Sequence, residues 1–276
     1  MTAIKQHTLL NNGVKMPSLG LGVFRSPSGA LTQQTVKTAL SLGYRHIDTA
    51  KIYGNEADVG IGIRESGIAR EEIFITTKLW NSDQGYDSTL RACDESLALL
   101  GLDYVDLYLV HWPEPNKRLD TWQAMEKLLT DGKARAIGVS NYMQRHLIEL
   151  IDNAKVLPTV NQIELSPYNF TFRQDAINTS KEHGIQVEAY SPLTKGQKLR
   201  DPKLIEIAER YGKSTAQLLI RWLLQKEIVV IAKSNNPERI KQNHEVFDFT
   251  ITDEDMVTME GFNENLVTGW DPTNAP

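Results

Sequence analysis

Asp48, Tyr53, Lys78 and His111 are the residues here whose types and spacing point to proton chemistry. Asp48, Lys78 and His111 each end a short apolar run, and Tyr53 follows in Asp48-Thr49-Ala50-Lys51-Ile52-Tyr53. A phenol with an ordinary pKa of about 10 is a poor acid–base group near neutrality. A neighbouring ammonium favours the phenolate and lowers that value, and Lys78 can supply it. Charged side chains are almost never buried unpaired, so Asp48 is expected to face and anchor Lys78. His111 can donate a hydrogen bond to a substrate oxygen. Together these groups make a proton donor aimed at a carbonyl that becomes an alkoxide. An ordinary buried ion pair with neighbouring hydrogen bonds is the structural alternative.

Such residues need a scaffold that gathers strand ends. Eight β-rich apolar runs occur at 19–23, 45–49, 73–79, 105–111, 134–140, 159–165, 186–191 and 228–233. Their weak alternation suits strands buried on both faces. Helical patterns separate them at 29–42, 56–65, 87–100, 119–130, 144–153, 173–182, 214–225 and 237–243, with short extra helices at 201–211 and 252–260. Gly43, Gly101, Gly132 and Gly184 stand where helix C-caps favour glycine. Eight strand–helix units fit a (β/α)₈ barrel in the α/β class, whose catalytic groups lie at the C-terminal strand ends. An open doubly wound sheet is the rival. Seven consecutive runs end in polar residues: Asp48, Lys78, His111, Ser140-Asn141, Gln162, Tyr190-Ser191 and Lys233-Ser234. Before the barrel, 7–10 and 14–16 read as arms of a short β-hairpin turning at Asn12-Gly13. No linker divides the chain, so residues 1–276 are expected to form one domain. The polar tail after Gly261 is expected to wrap the surface or fray.

Composition narrows the function. The chain has 276 residues, with 30 Lys plus Arg against 35 Asp plus Glu, a net charge of −5. That balance argues against nucleic acid and anionic membranes as partners. One cysteine, Cys93, allows neither an internal disulfide nor a thiolate metal cage. The six histidines show no metal-ligand spacing, so no metal is expected. Met1–His7 lacks an apolar leader core and no apolar stretch approaches a membrane span, which points to the cytoplasm. The Asn-x-Ser/Thr matches at Asn169 and Asn178 read as chance. Gly20-Leu21-Gly22 and Gly60-Ile61-Gly62 each lack the third glycine of a dinucleotide fingerprint. They read instead as a tight turn and a helix-packing pair.

The ordered motifs resemble the aldo-keto reductase family. Gly43-Tyr44-Arg45-His46-Ile47-Asp48-Thr49-Ala50 with Tyr53-Gly54-Asn55-Glu56 is similar to its signature. Thr76-Thr77-Lys78-Leu79-Trp80 and 103–113, ending His111-Trp112-Pro113, resemble its lysine and histidine strands. Gly138-Val139-Ser140-Asn141-Tyr142, Asn161-Gln162-Ile163-Glu164, Ala189-Tyr190-Ser191-Pro192-Leu193 and 233–240 with Asn243 continue the series. The resemblance implies a barrel that binds NADPH without a Rossmann domain. It implies a tetrad of Asp48, Tyr53, Lys78 and His111, with Tyr53 as proton donor and His111 orienting the carbonyl. Ser140, Asn141 and Gln162 would meet the nicotinamide amide, Tyr190 would stack on its ring, and Ser191 and Leu193 would lie along the pyrophosphate. At the adenosine end, Lys233 and Arg239 suit a 2′-phosphate near a helix N-terminus. Ser234 and Asn235 add donors there, and Asn243 would reach the adenine; NADPH is favoured over NADH.

Three departures from the family pattern stand out. Ala232 stands where proline is common, Leu165-Ser166-Pro167 replaces a usual aromatic-or-His, His, Pro, and Phe24 stands where many members have tryptophan. Phe24, Trp80 and Trp112 are expected to wall an apolar pocket over His111, although each could be plain core. The 112–118 loop and the tail are short, so the site is expected to be open and to take small aldehydes and ketoaldehydes such as methylglyoxal or glyoxal. A monomer is expected from the resemblance. Two other readings remain: an NADPH-binding sensor or structural barrel with little turnover, and an aldolase using Lys78 as a Schiff base. The latter needs an amine with a depressed pKa, and an adjacent Asp48 would raise it.

Overall fold

Asn12-Gly13 makes the first turn, with Gly13 at φ 83° and the Asn12 side chain accepting from the Val14 amide at 3.2 Å. It joins β1 (His7–Leu9) to β2 (Lys15–Pro17) in an antiparallel pair. The computed structural model describes residues 6–275. The reading of 1–5 as lacking a leader core therefore lies outside the described residues.

The hairpin closes one end of a barrel. Its eight parallel strands are β3 (Leu19–Gly22), β4 (His46–Asp48), β5 (Phe74–Leu79), β6 (Leu107–Val110), β7 (Ile137–Ser140), β8 (Val160–Glu164), β9 (Gln186–Tyr190) and β10 (Val229–Ala232). They run in chain order around the barrel, and β10 pairs with both β9 and β3 to close it. Each paired core begins up to three residues inside its expected run; Val105 and Ala134 still form a parallel bridge ahead of β6 and β7.

Between the strands lie α1 (Ala30–Ser41), α2 (Glu56–Glu65), α3 (Tyr86–Leu100), α4 (Arg118–Thr130), α5 (Gln144–Asn153), α6 (Gln174–Glu182), α8 (Thr215–Gln225) and α9 (Pro237–His244). The short α7 (Pro202–Arg210) and α10 (Asp253–Glu260) fall at the two extra positions read from sequence. Local signals explain the boundaries. Gly43, Gly101, Gly132 and Gly184 all have positive φ after their helices. Ser214 and Gln217 form a capping box ahead of α8, and Asn236 caps the α9 amide of Arg239 at 3.1 Å.

Side-chain alternation divides the core in two. Tyr108 and Val110 of β6 face the helix layer, while Leu107 and Leu109 join Phe74, Ala136, Val160 and Val229 inside the barrel. Leu10 and Met16 of the hairpin pack into that inner cluster. One end is thus plugged with hydrocarbon, and polar side chains gather at the other.

The expected tight turn at Gly20–Gly22 is instead strand β3. A Cβ on Gly20 would meet Ile231 at 2.6 Å and His46 at 2.8 Å, so absent side chains make room for neighbours inside the barrel. Gly60 and Gly62 do pack helices: a Cβ would lie 2.1 Å from the Leu100 carbonyl or 2.8 Å from that of Gln33.

The tail wraps rather than frays. Glu164 at the end of β8 accepts from the Thr268 amide and hydroxyl, Arg173 holds Asp271 at 2.9 Å, and the Ala275 carbonyl lies 3.1 Å from His146 Nε2. The tail therefore runs across the polar, C-terminal end of the barrel.

Candidate active site

Period-two geometry sends Phe74, Thr76 and Lys78 of β5 inward, while Ile75 and Leu79 pack outward. Ile47 of β4 likewise packs outward, leaving His46 and Asp48 inside. Lys78 is fully buried. Its Nζ donates to Asp48 Oδ1 at 2.6 Å, to the Thr49 carbonyl at 2.9 Å and to the Tyr53 hydroxyl at 3.5 Å. The expected facing of Asp48 and Lys78 is present.

Tyr53 comes from a 3₁₀ turn, Lys51–Tyr53, closed by Gly54 at φ 66°. Asn55 ties that turn down. It accepts from the Thr49 hydroxyl at 2.9 Å and donates to the Val23 and Ser26 carbonyls. His111 follows β6, its ring 5.8 Å from that of Tyr53 in an edge-on arrangement. The four expected residues thus meet at one place.

Burial dominates the electrostatics. It raises the Tyr53 pKa; Lys78 works against that rise and Asp48 with it, and the balance lies above the ordinary phenol value. Lys78 exerts the expected sign, but it moderates the rise rather than producing a net fall. Burial would lower Lys78 itself, yet Asp48 and Tyr53 prevail and raise it, so it stays an ammonium. Burial, aided by Lys78, holds His111 well below the usual imidazole range. His111 Nδ1 is buried without a partner among the described residues.

The expected cofactor residues form one connected network beside Asp48. Gln162 Nε2 donates to Asp48 Oδ2 at 2.8 Å and to Glu188 Oε2 at 2.7 Å. Ser140 Oγ donates to the Gln162 carbonyl at 2.9 Å, and Asn141 Nδ2 to the His111 carbonyl at 3.0 Å. Tyr190 donates to Asn141 Oδ1 at 2.8 Å. Asn141 and Ser191 hold positive φ, 64° and 50°, just beyond their strands. Such backbone strain often clusters at ligand sites. Leu193 packs at the edge of the outer core.

Around the end of β10, Lys233 and Arg239 are exposed and form no ion pair among the described residues. Ser26 donates to Asn235 at 2.7 Å, Ser234 accepts from the Asn236 amide, and Asn243 is buried in α9. Two free cations at the N-terminal end of α9 suit a phosphate dianion. This donor set fits NADPH. Ala232 is buried and paired with Leu21, so strand pairing anchors the start of this loop in place of a proline ring.

The three expected aromatic walls also come together. Phe24 lies 5.0 Å from Tyr53, Trp80 5.4 Å from His111, and Trp112 stacks near His111 at 6.1 Å. Leu165 and Ser166 are buried, so that departure falls in packed core. Three residues escaped the sequence reading. Trp270 lies edge-on to Trp112 at 4.9 Å, making a fourth ring at this end. Glu164 pins the tail, and Glu188 lies below Gln162. Glutamates inside buried strand runs were the available signal for the last two; Trp270 had none, because only folding brings the tail here.

A sequence profile described as the Aldo/keto reductase family matches residues 18–264. The chain is 51% identical over 269 residues to the 9,11-endoperoxide prostaglandin H2 reductase of Trypanosoma cruzi, covering 96% of this chain and 94% of that one. It is 50% identical to the glyoxal reductase of Bacillus subtilis, covering 98% of each. A crystal structure of a Bombyx mori aldo-keto reductase in complex with NADP superposes with a TM-score of 0.88 at 39% identity, over 95% of this chain and 94% of the other. Closed barrel, ordered motifs and similarity along nearly the whole length converge: the chain belongs to the aldo/keto reductase family, oxidoreductases that act on carbonyl groups.

Proposed function

We propose that this chain reduces small aldehydes and ketoaldehydes, methylglyoxal and glyoxal among them, at the Tyr53–His111 site. The cofactor is NADP(H), and when bound its nicotinamide supplies the hydride. The protein supplies position and a proton. His111, held neutral, donates a hydrogen bond that orients the carbonyl oxygen. Tyr53 gives that oxygen its proton, and Lys78, kept cationic by Asp48, stabilises the phenolate left behind. The observation that carries this reading is a phenol 3.5 Å from a buried ammonium, beside an imidazole that stays neutral. A cationic Lys78 also disfavours the Schiff-base alternative, which needs the free amine.

Gln162 has both Nε2 hydrogens committed to carboxyl groups, so its Oε1 is the atom it can offer a carboxamide. Ser140 and Asn141 complete that contact in our reading. Tyr190 would lie against the nicotinamide, Ser191 and Leu193 would hold the pyrophosphate, and Lys233, Ser234, Asn235, Arg239 and Asn243 would hold the adenosine 2′-phosphate end. Phe24, Trp80, Trp112 and His111 contact substrate. The resemblance to glyoxal reductase supports small dicarbonyls. The equal likeness to a prostaglandin H2 reductase supports broad tolerance. Among the described residues no helix is long and apolar enough to cross a membrane. A cytoplasmic monomer is our working assignment.

The test is NADPH oxidation with methylglyoxal by wild type and Tyr53→Phe. The variant is expected to lose about 10²–10⁴-fold in kcat while NADPH still quenches tryptophan fluorescence. Surviving activity would remove Tyr53 as donor. Absent turnover in both proteins, with binding intact, would favour an NADPH-binding module. Bulky steroid ketones reduced as fast as methylglyoxal would overturn the small-carbonyl preference.

A further inference from the structure

Glu188 sits in the middle of β9, fully buried, and among the described residues no Lys or Arg pairs with it. Its Oε2 accepts from Gln162 Nε2 at 2.7 Å, and the same nitrogen donates to Asp48 Oδ2. Its Oε1 has no hydrogen-bond partner among the described residues and faces His46 Nδ1 at 3.9 Å, beyond hydrogen-bond reach. The groups around it are His46 and Asp48 from β4, Lys78 from β5 and Gln162 from β8. From β10 its strand partner is Val229, a member of the inner apolar cluster.

We propose that Glu188 is a positioning residue of the reductase: through Gln162 it fixes the amide that meets the cofactor, and its charge state sets the field on Lys78 and Tyr53. The inference rests on Tyr53 as proton donor.

Full burial, with the Asp48 carboxyl on the same Gln162 amide nitrogen, favours a protonated Glu188 in the resting protein. His46 Nε2 lies 2.9 Å from the Thr76 hydroxyl. Burial and Lys78 depress the His46 pKa to about 3, so the ring stays neutral. Burial, then Asp48, pushes Glu188 up to about 8. Near neutrality Glu188 therefore adds no charge beside the Asp48–Lys78 pair. In alkali Glu188 adds a second negative charge. That charge opposes the pull of Lys78 on Tyr53, and the phenol keeps its proton to higher pH.

Two substitutions separate the roles. Glu188→Gln keeps an acceptor for Gln162 and removes the titration. Glu188→Ala removes both. Reduction needs a protonated Tyr53, so the alkaline limb of kcat in Glu188→Gln is expected about half a unit to one unit below wild type. Its NADPH Kd, read by fluorescence quenching, should stay within about threefold, whereas Glu188→Ala should weaken it by about tenfold.

A readout independent of turnover comes from linkage. Between about pH 4.5, the unfolded value, and about pH 8 the folded state holds a proton that the unfolded chain has lost. Wild-type stability therefore falls as pH rises through that window. Glu188→Gln lacks this slope, so its Tm advantage over wild type should grow from about pH 5 to about pH 8. Superimposable pH–rate profiles and melting curves that run parallel across pH would overturn the proposal. A fully active Tyr53→Phe control would instead overturn the reading of Tyr53 as donor on which it rests.

Discussion

At the scale of single residues, the Asp48–Lys78 pair is the energetic hinge of the site. Both partners are buried, 2.6 Å apart. Removing one leaves the other charged in a low-dielectric interior, a loss that commonly costs about 3–5 kcal/mol. Asp48→Asn should therefore lower the unfolding free energy measured in urea by an amount in that range and also depress turnover, because Lys78 loses the carboxylate that raises its pKa. Unchanged stability would mean the pair is not dehydrated as described. This pairing was legible in the sequence because two opposite charges ending adjacent apolar runs have few other ways to be satisfied. The net direction of the Tyr53 shift was not legible. Lys78 acts with the expected sign, but burial is the larger influence, and the depth of a side chain is a tertiary quantity.

At the scale of elements, short local signals place the site. Gly54 and Asn55 shape the turn that presents Tyr53, and Asn236 caps the helix beside Lys233. Close helix packing behind α2 is equally demanding. A Cβ at Gly60 would sit 2.1 Å from the backbone carbonyl of Leu100, which cannot move as a side-chain tip could. Gly60→Ala is expected to destabilise by about 1–3 kcal/mol through overpacking, measured by urea denaturation. A neutral effect would show that α2 and α3 part easily. Helix and strand boundaries were readable to within a few residues from period and caps. The glycines of β3 were not, since the neighbours that need their space, Ile231 and His46, lie far away in sequence or on another strand.

At the scale of the whole molecule, the barrel is plugged at one end and crossed by a pinned tail at the other. Leu10 and Met16 seal one end, and the tail crosses the other through Glu164, Arg173 and His146. The proposal of one domain over the full chain predicts a single cooperative melting transition. NADPH at about 100 times its Kd should raise stability by about 2.7 kcal/mol, an upward Tm shift of about 5–10 °C at this size. Arg239→Ala should shrink the shift produced by NADPH and leave that from NADH unchanged. Two resolved transitions would contradict the one-domain proposal, and equal shifts in both proteins would contradict the role of Arg239.

The order of strands and helices, the polar strand ends and the four candidate catalytic residues were determined by the sequence alone. Each depends on local periodicity, on turn chemistry or on the cost of burying an unpaired charge. Tertiary structure decided what closure and depth decide. It brought β10 against β3, carried Trp270 from the tail to Trp112, and set Glu188 under Gln162 where its carboxyl faces a neutral imidazole. The physical reason is distance along the chain: such neighbours share no periodic signal, and the dehydration that sets their charge exists only once the barrel has closed.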